Sequence, residues 1–383
     1  MALERFHAYG KRDISAHDGL ASVFRLQCRS RILRILVDIL TPKQVLFLGE
    51  LSNRLEDKGH NVTRVTRNFH ETLQLLRMKK MKATVIGVYR STLEGKLQES
   101  LTRTKRIAKL LRSVGIDLVV AFPSVEAARS AYGLSIPFYC ISDSPHAEAV
   151  SRLTIPLATQ LFSPAIIPKE DWTQYGISPS KIKQYNALDP YVWITDVKPN
   201  QRELERHGLQ TDSKIVTLRL EESFAAYLMN RNGNWRNLGL RIVQELSRKN
   251  CKAKIVVLPR YSQQMTQFKR LQKNVTIPST FIEGATMLAS TSVFIGGGGT
   301  MTAEAAMMGV PTISYFPAGP TRVEALLQEK RLLTRLTDPE SIAEQTLSWL
   351  NDEVYQAENR SRARKLLRSM EDPLKVVLDN IDQ

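Results

Sequence analysis

The residues best suited to chemistry cluster late in the chain, over 293–317 (VFIGGGGTMTAEAAMMGVPTISYFP). The pattern predicts a buried strand over 293–295, a four-glycine turn at 296–299, a helix over 301–308 and a second buried strand over 312–316. A strand that ends in glycines and opens a helix suits an anion. Glycine lets the backbone come close to a ligand. The first helical N–H groups lack internal partners and lie at the positive end of the dipole. Gly297, Gly298, Gly299 and Thr300 are therefore candidates for holding a phosphate or diphosphate, against the plain alternative of a ligand-free turn. The spacing is neither G-x-G-x-x-G nor a P-loop, which needs Lys-Ser/Thr after its last glycine. Glu304 follows one turn into the helix, among Ala303, Ala305 and Ala306. Its carboxylate can accept two hydroxyl hydrogen bonds, as from a ribose. Its plain alternative is compensation of the helix dipole.

Three further candidates lie together: Asp143, His146 and Glu148. Asp143 or Glu148 can serve as general base, with His146 as donor or proton shuttle. The alternative is that Ser142, Asp143 or Ser144 caps a helix opened by Pro145 and the others face solvent. Arg219 ends a strand beside Glu221 and Glu222, where a guanidinium suits a diphosphate or pairs with a neighbouring Glu. Arg260, after Pro259, is a similar candidate. Tyr261 can stack on a base or fill the core.

Composition narrows the partners. The chain has 383 residues, enough for two domains, and 54 Lys+Arg against 38 Asp+Glu give a net charge of +16. That favours polyanions: nucleic acid, anionic lipid or phosphorylated substrates. No nucleic-acid motif occurs and no aromatics interleave the basic run, so nucleic acid is set aside. No Asp-x-Asp or H-x-x-x-H exists, and we expect no metal site. The three cysteines (Cys28, Cys140, Cys251) make no C-x-x-C, which fits a reducing cytoplasm. No apolar run reaches the ~18–20 residues of a membrane span, and residues 1–30 carry no apolar signal-peptide core. Basic residues crowd 77–112 (Lys79, Lys80, Lys82, Arg90, Lys96, Arg103, Lys105, Arg106, Lys109, against Glu94 and Glu99). The helix over 93–114 keeps Leu97, Leu101, Ile107, Leu111 and Val114 as an apolar stripe. We expect that stripe to pack on the sheet. The cationic face is open to peripheral contact with anionic lipid at the inner face of the membrane.

These residues need a scaffold, and the pattern supplies one. Residues 1–30 form an N-terminal extension. An N-terminal domain, 31–189, alternates strands (32–39, 62–66, 84–88, 118–121, 136–141, near 161–162 and 182–185) with helices (44–58, 71–80, 93–114, 125–132, 146–157). A linker at 190–199, between Pro190 and Pro199, leads to a C-terminal domain, 200–383. Its strands are 215–218, 254–258, 275–277, 293–295 and 312–315. Its helices are 235–249, 264–272, 285–290, 301–308 and 322–329, followed by an all-helical tail (341–350, 353–370, 373–381). Repeated βα units give parallel sheets with helices on both faces. Two such doubly wound domains face a cleft at the carboxyl ends of their strands, lined by the glycine turn, Arg219 and the turn at 41–44.

This plan, with the late glycine turn, its helix Glu and the helical tail, resembles the GT-B superfamily of nucleotide-sugar enzymes. Within it the chain is similar to an uncharacterised, largely archaeal family related to UDP-N-acetylglucosamine 2-epimerase, from about Arg31 onward. Asp38-Ile-Leu-Thr-Pro-Lys43 stands where the epimerases have Thr-Arg-Pro-Glu. Ser142-Asp-Ser-Pro-His-Ala-Glu-Ala149, Arg152-Leu-Thr154 and Phe162-Ser-Pro164 resemble their Glu-Glu-Ala-Asn-Arg-x-Leu-Thr and Phe-Ser-Pro. Asn186-Ala-Leu-Asp189 matches Asn-Thr-Val-Ile-Asp. Val216-Thr-Leu-Arg219 with Glu222-Ser-Phe224 matches Val-Thr-Gly-His with Glu-Ser-Phe. The resemblance implies that Gly297, Gly298, Gly299 and Thr300 hold a diphosphate and Glu304 a uridine ribose. It also departs from the family. The epimerase histidine is Arg219, the acid after the fourth strand is Ser124, and His-x-Glu-Ala-Gly is missing, with Ser142-Asp143 nearby. Of the epimerase carboxylates only Glu148 matches cleanly.

The resemblance implies a fold of α/β class, GT-B-like, with two Rossmann-like domains and C-terminal helices. It implies a nucleotide sugar, UDP-linked, as substrate and no separate cofactor. We expect metal-independent glycosyl transfer in polysaccharide or glycolipid synthesis, with a lipid-linked or polysaccharide acceptor on the N-terminal domain. Arg219 and the glycine-turn N–H groups would stabilise the leaving group, and closure about 190–199 would gate the reaction. Two alternatives stand: a UDP-N-acetyl-sugar 2-epimerase or hydrolase, and a non-catalytic nucleotide-sugar-binding protein.

Overall fold

A computed structural model describes residues 31–195, 197–209, 213–221, 237–260, 262–268 and 275–382. The N-terminal extension, Cys28, Glu222-Ser-Phe224 and Tyr261 lie outside the described residues, as do parts of the helices expected over 235–249 and 264–272. Residues 1–31, with Asp382, separate from a second compact unit spanning 32–381, which holds all that follows.

Seven strands form the first sheet: β1 (Arg34–Ile39), β2 (Asn61–Asn68), β3 (Thr84–Val88), β4 (Leu118–Ala121), β5 (Phe138–Ile141), β6 (Gln160–Pro164) and β7 (Ile182–Tyr185). Their order is β3-β2-β1-β4-β5-β6-β7, every pair parallel. Six form the second: β8 (Ile215–Arg219), β9 (Lys254–Leu258), β10 (Val275–Thr276), β11 (Val293–Gly296), β12 (Thr312–Ser314) and β13 (Thr334–Arg335). Their order is β10-β9-β8-β11-β12-β13, again all parallel. Parallel strands are covered on both faces and need continuous apolar runs. LVVA, KIVVL and VFIG supply them. The strand order reverses between β1 and β4 and between β8 and β11. A crevice opens at each such point, beyond the carboxyl ends of the strands.

One face of the first sheet packs against Phe47, Leu51 and Leu55 and against the last helix, Pro373–Ile381, through Leu374, Val377 and Leu378. The end of the chain thus completes the core of the first lobe. The stretch expected as a linker contains a short helix, Tyr191–Ile194, whose Ile194 is buried with Ala303, Ala306 and Met307 of the second lobe.

The long helix Leu93–Val114 corrects the expected packing. Thr92 caps it and Gly115, at φ 68°, ends it. Its buried face is Arg103, Ile107 and Leu111, whereas Leu93, Leu97 and Leu101 are 74%, 60% and 60% exposed. Two causes combine. At 22 residues the helix is about 33 Å long, while β3 has five residues and spans about 17 Å, so its first turns overhang the sheet. Arg103 also turns inward to pair with buried Asp38 at 2.6 Å. Leu101, two residues earlier, then lies about 160° away around the helix.

Candidate functional site

The glycine turn sits where β8 and β11 part. Gly297 N–H donates to the Arg219 carbonyl at 3.0 Å. A Cβ on Gly297 would stand 2.7–2.8 Å from the backbone and Cβ of Glu221, closer than atoms pack. Gly298 and Gly299 take φ of 90° and 93°, a region that disfavours side chains. The helix Thr300–Met307 opens at once, one residue earlier than expected. Beneath the turn the Thr302 hydroxyl oxygen is buried with no hydrogen-bond partner among the described residues.

Both candidate arginines meet this turn. Arg219 donates to the Pro259 carbonyl at 2.9 Å. Arg260 donates through Nε to the Leu220 carbonyl at 2.9 Å and through its terminal nitrogen to the Gly298 carbonyl at 3.3 Å. Neighbouring Glu221 is buried and accepts the Tyr315 hydroxyl at 2.9 Å. The carboxyl ends of β8, β9 and β11 therefore hold two guanidiniums beside a helix N-terminus.

Glu304 is 6% exposed, and its Oε1 accepts the Trp193 indole N–H at 2.9 Å. Burial pushes its pKa up to about 7, against the pull of Trp193, Lys43 and Arg219. Trp193 belongs to the short helix between the lobes, so this bond crosses from one to the other. Sequence reasoning missed it. A tryptophan in a supposed linker was the available signal, since an indole needs both burial and an acceptor.

The facing edge of the first sheet holds a cation between two acids. Lys43 lies in the first turn of the helix Pro42–Asp57, directly after β1. Its Nζ is 2.5 Å from Asp143 and 2.7 Å from Asp189, and 5.0 Å above the Phe122 ring. Asp189 also accepts the Tyr185 hydroxyl at 2.5 Å. Burial alone would favour neutral Lys43, but the two carboxylates outweigh it and raise its pKa. Burial likewise opposes the charge on Asp143, but Lys43 outweighs it and holds the carboxyl below its ordinary range. Asp189 is fully enclosed, and burial raises its pKa. The cluster was legible only in hindsight: a lysine at a helix N-terminus opposes the dipole and needs a local acid.

Asp143 does not cap the following helix. Its carboxylate takes Lys43 and the Ser144 hydroxyl, at 2.8 Å. The helix starts later than expected, at Glu148–Thr154, and Ala147 supplies no side-chain cap. His146 stands in the turn before it. Partial burial lowers the His146 pKa, against the field of Asp143 and Glu324. Glu148 is 62% exposed and pairs with Arg152 at 2.7 Å. Asp143 and His146 are thus brought together, and Glu148 stands on the solvent side.

Ser124 is buried. It donates to Asp38 at 2.7 Å and caps the next helix through Ala127 N–H at 3.3 Å. Asp38 in turn binds Arg103 at 2.6 and 3.0 Å, and Glu126 reaches Arg103 at 3.3 Å. A carboxylate therefore does stand beyond β4, delivered from β1. An aspartate inside the apolar run RILVDI was its signal.

Residues 33–383 match the family described as a protein of unknown function, DUF354. An uncharacterised protein of Methanocaldococcus jannaschii is 26% identical over 324 residues, 81% of this chain and 89% of its own. Among solved structures, the UDP-GlcNAc 2-epimerase of Neisseria meningitidis bound to UDP-GlcNAc superposes with a TM-score of 0.69 at 16% identity, over 91% of this chain and 99% of its own. The M. jannaschii UDP-GlcNAc 2-epimerase, in complex with UDP-GlcNAc and UDP, gives 0.66 at 14%, over 88% and 99%. The spinosyn forosaminyltransferase SpnP gives 0.61 at 16%, over 92% and 100%. At such identities the likeness is one of fold, and that fold is GT-B-like.

Proposed function

We propose that this chain, which belongs to the DUF354 family of proteins of unknown function, is a nucleotide-sugar-dependent enzyme that transfers a glycosyl group without a metal ion. The observation that carries the reading is the convergence of Gly297–Gly299, Arg219 and Arg260 with a buried helical Glu304 at one strand switch point. The fold is shared with proteins whose names specify UDP-GlcNAc or glycosyl transfer.

In this reading the diphosphate of a UDP-sugar sits on the N–H groups of Gly298, Gly299 and Thr300, with Arg219 and Arg260 beside it. Glu304 accepts the ribose hydroxyls through the oxygen that Trp193 does not use. His146 is the general base. Desolvation lowers its pKa and so favours the neutral imidazole, and Asp143, anchored by Lys43, stabilises the cation that forms. The acceptor oxygen attacks the anomeric carbon as its proton passes to His146. The bond from that carbon to the diphosphate oxygen breaks, and UDP leaves with the electron pair. Its charge is met by the two arginines and the helix N–H groups. Glu148, exposed and paired with Arg152, would hold acceptor hydroxyls or serve as base for an acceptor bound further out. The acceptor would be a glycolipid or polysaccharide precursor. The exposed leucines and lysines of Leu93–Val114 would bring the enzyme to the inner, anionic face of the membrane.

The test is a thermal-shift panel of UDP, GDP, ADP, CMP and their sugars, on the native protein and Glu304→Ala. A ligand selective for the native state adds about 2.7 kcal/mol at a hundred times its Kd. A shift with one nucleotide that Glu304→Ala abolishes is expected. No shift with any nucleotide sinks the reading. Binding without turnover on any acceptor would make the chain a binding protein. Release of an epimerised or hydrolysed sugar would make it an epimerase or hydrolase.

A further inference from the structure

The carboxyl ends of β2 and β3 carry a second cluster that the nucleotide site does not use. Arg67, next to last in β2, is bracketed by Phe69 and Tyr89, each one residue past the end of its strand. Its guanidinium carbon lies 5.9 and 5.3 Å from the two ring centroids, and the rings are 5.2 Å apart. Tyr89 N–H donates to the Asn68 carbonyl at 3.1 Å, which pins the strand ends together.

The Arg67 Nε is shut away from solvent, and among the described residues no acceptor or carboxylate bonds this side chain. The nearby acids are committed elsewhere. Asp38 is taken by Arg103 and Ser124, and Glu126 by Arg103. A buried donor left unpaired is costly, more so when charged, so an oxyanion that reaches this guanidinium would be favoured. The cluster is open to receive one at its rim, where Tyr89 is 38% exposed, while Arg90, the next residue, turns to Glu99 at 3.9 Å.

We propose that Arg67, Phe69 and Tyr89 form an anion subsite for a sugar phosphate, with the phosphate on Arg67 and the sugar ring against Tyr89. The guanidinium fork matches phosphate oxygens in pairs. An aromatic ring with a polar tip covers the apolar face of a sugar while bonding its hydroxyls. As the acceptor subsite, this deepens the transferase reading and rests on it. The same glycosyl-phosphate chemistry comes either as a soluble sugar phosphate or as a lipid headgroup. The cluster lies just before the exposed Leu93 in sequence, so both sources belong in the test.

The experiment is calorimetric titration, without nucleotide, of glucose 1-phosphate, inorganic phosphate, glucose and phosphatidylcholine vesicles containing phosphatidylinositol. Glucose 1-phosphate or the phosphatidylinositol vesicles should bind the native protein, and which of them does identifies the source. Arg67→Ala should weaken that binding by about ten-fold or more, with partial recovery in Arg67→Lys. Tyr89→Ala should weaken glucose 1-phosphate while leaving inorganic phosphate unchanged. Equal affinity in native protein, Arg67→Ala and Tyr89→Ala overturns the proposal, as does the absence of binding by every phosphate probe. Should Arg67→Ala not fold, Tyr89→Ala, at an open side chain, decides alone. UDP affinity measured in parallel on Arg67→Ala reports on the donor site, so failure of one site is distinguishable from failure of the other.

Discussion

Glu304 is held where its charge is costly. It lies in the interior with one indole donor, and its pKa rises from the ordinary 4.5 to about 7. Between those values the folded protein keeps a proton that the unfolded chain releases. The stabilising contribution is therefore fully present below pH 4.5 and is lost as pH rises through 7. At ~1.36 kcal/mol per pKa unit it amounts to about 3 kcal/mol. Urea unfolding of native protein and Glu304→Gln across pH 4.5–8 should show the native protein lose about that much stability relative to the variant as pH rises. Parallel profiles would mean that Glu304 titrates normally. The residue's place one turn into the helix was legible, because the glycines and alanines around it are a local signal. Its altered acidity was not, because burial depends on elements distant in the chain, such as the one that brings Trp193 from 111 positions away.

At the scale of elements, the strand–glycine–helix unit was legible because its signals are local: β-branched residues, four glycines, then alanines. Its tightness belongs to the neighbouring strand. Gly297 is required by the backbone of Glu221, which continues from β8. Gly297→Ala should cost about 1–3 kcal/mol through overpacking and remove UDP binding. Gly319→Ala, where a Cβ would meet nothing within 4 Å, should do neither. Chemical denaturation with UDP titration measures both, and a stable, UDP-binding Gly297→Ala would refute the close approach. The helix Leu93–Val114 was legible as a helix, and its stripe packs as expected at Ile107, Leu111 and Val114 but not at Leu97 and Leu101. Periodicity marks an apolar stripe but does not say how far the sheet beneath extends, or that a buried Asp38 will claim Arg103 for the inward face. Two-residue β13 gave no pattern to read.

Across the whole molecule, the excess of positive charge meets an exposed apolar ridge. Leu93, Leu97 and Leu101 stand in solvent beside Lys96, Lys105, Arg106 and Lys109. No helix among the described residues is long and apolar enough to cross a membrane, so a membrane contact there would be peripheral. The protein should sediment with anionic vesicles at low salt and release as the Debye length falls from about 10 Å at 0.1 M to 3 Å at 1 M. Leu97→Asp with Leu101→Asp should abolish binding without loss of stability, since both side chains are exposed. Retention of the double variant on vesicles would move the contact elsewhere.

The sequence by itself determined the α/β plan, the two parallel sheets and the glycine turn with its acid, because each follows from short-range periodicity and backbone freedom. It also indicated Arg219 and Arg260, since a residue at a strand's carboxyl end must lie on the crevice edge. Only the tertiary structure decided which groups share a field. Lys43 joins Asp143 and Asp189 across 146 positions of chain, Trp193 reaches Glu304 from between the lobes, and Arg67 stacks on two aromatic rings while Arg103 binds the nearby acids. Those pairings depend on strand order and on the length of each helix against its sheet. Neither is written in any local pattern of residues, because both arise from how separate elements compete for the same buried space.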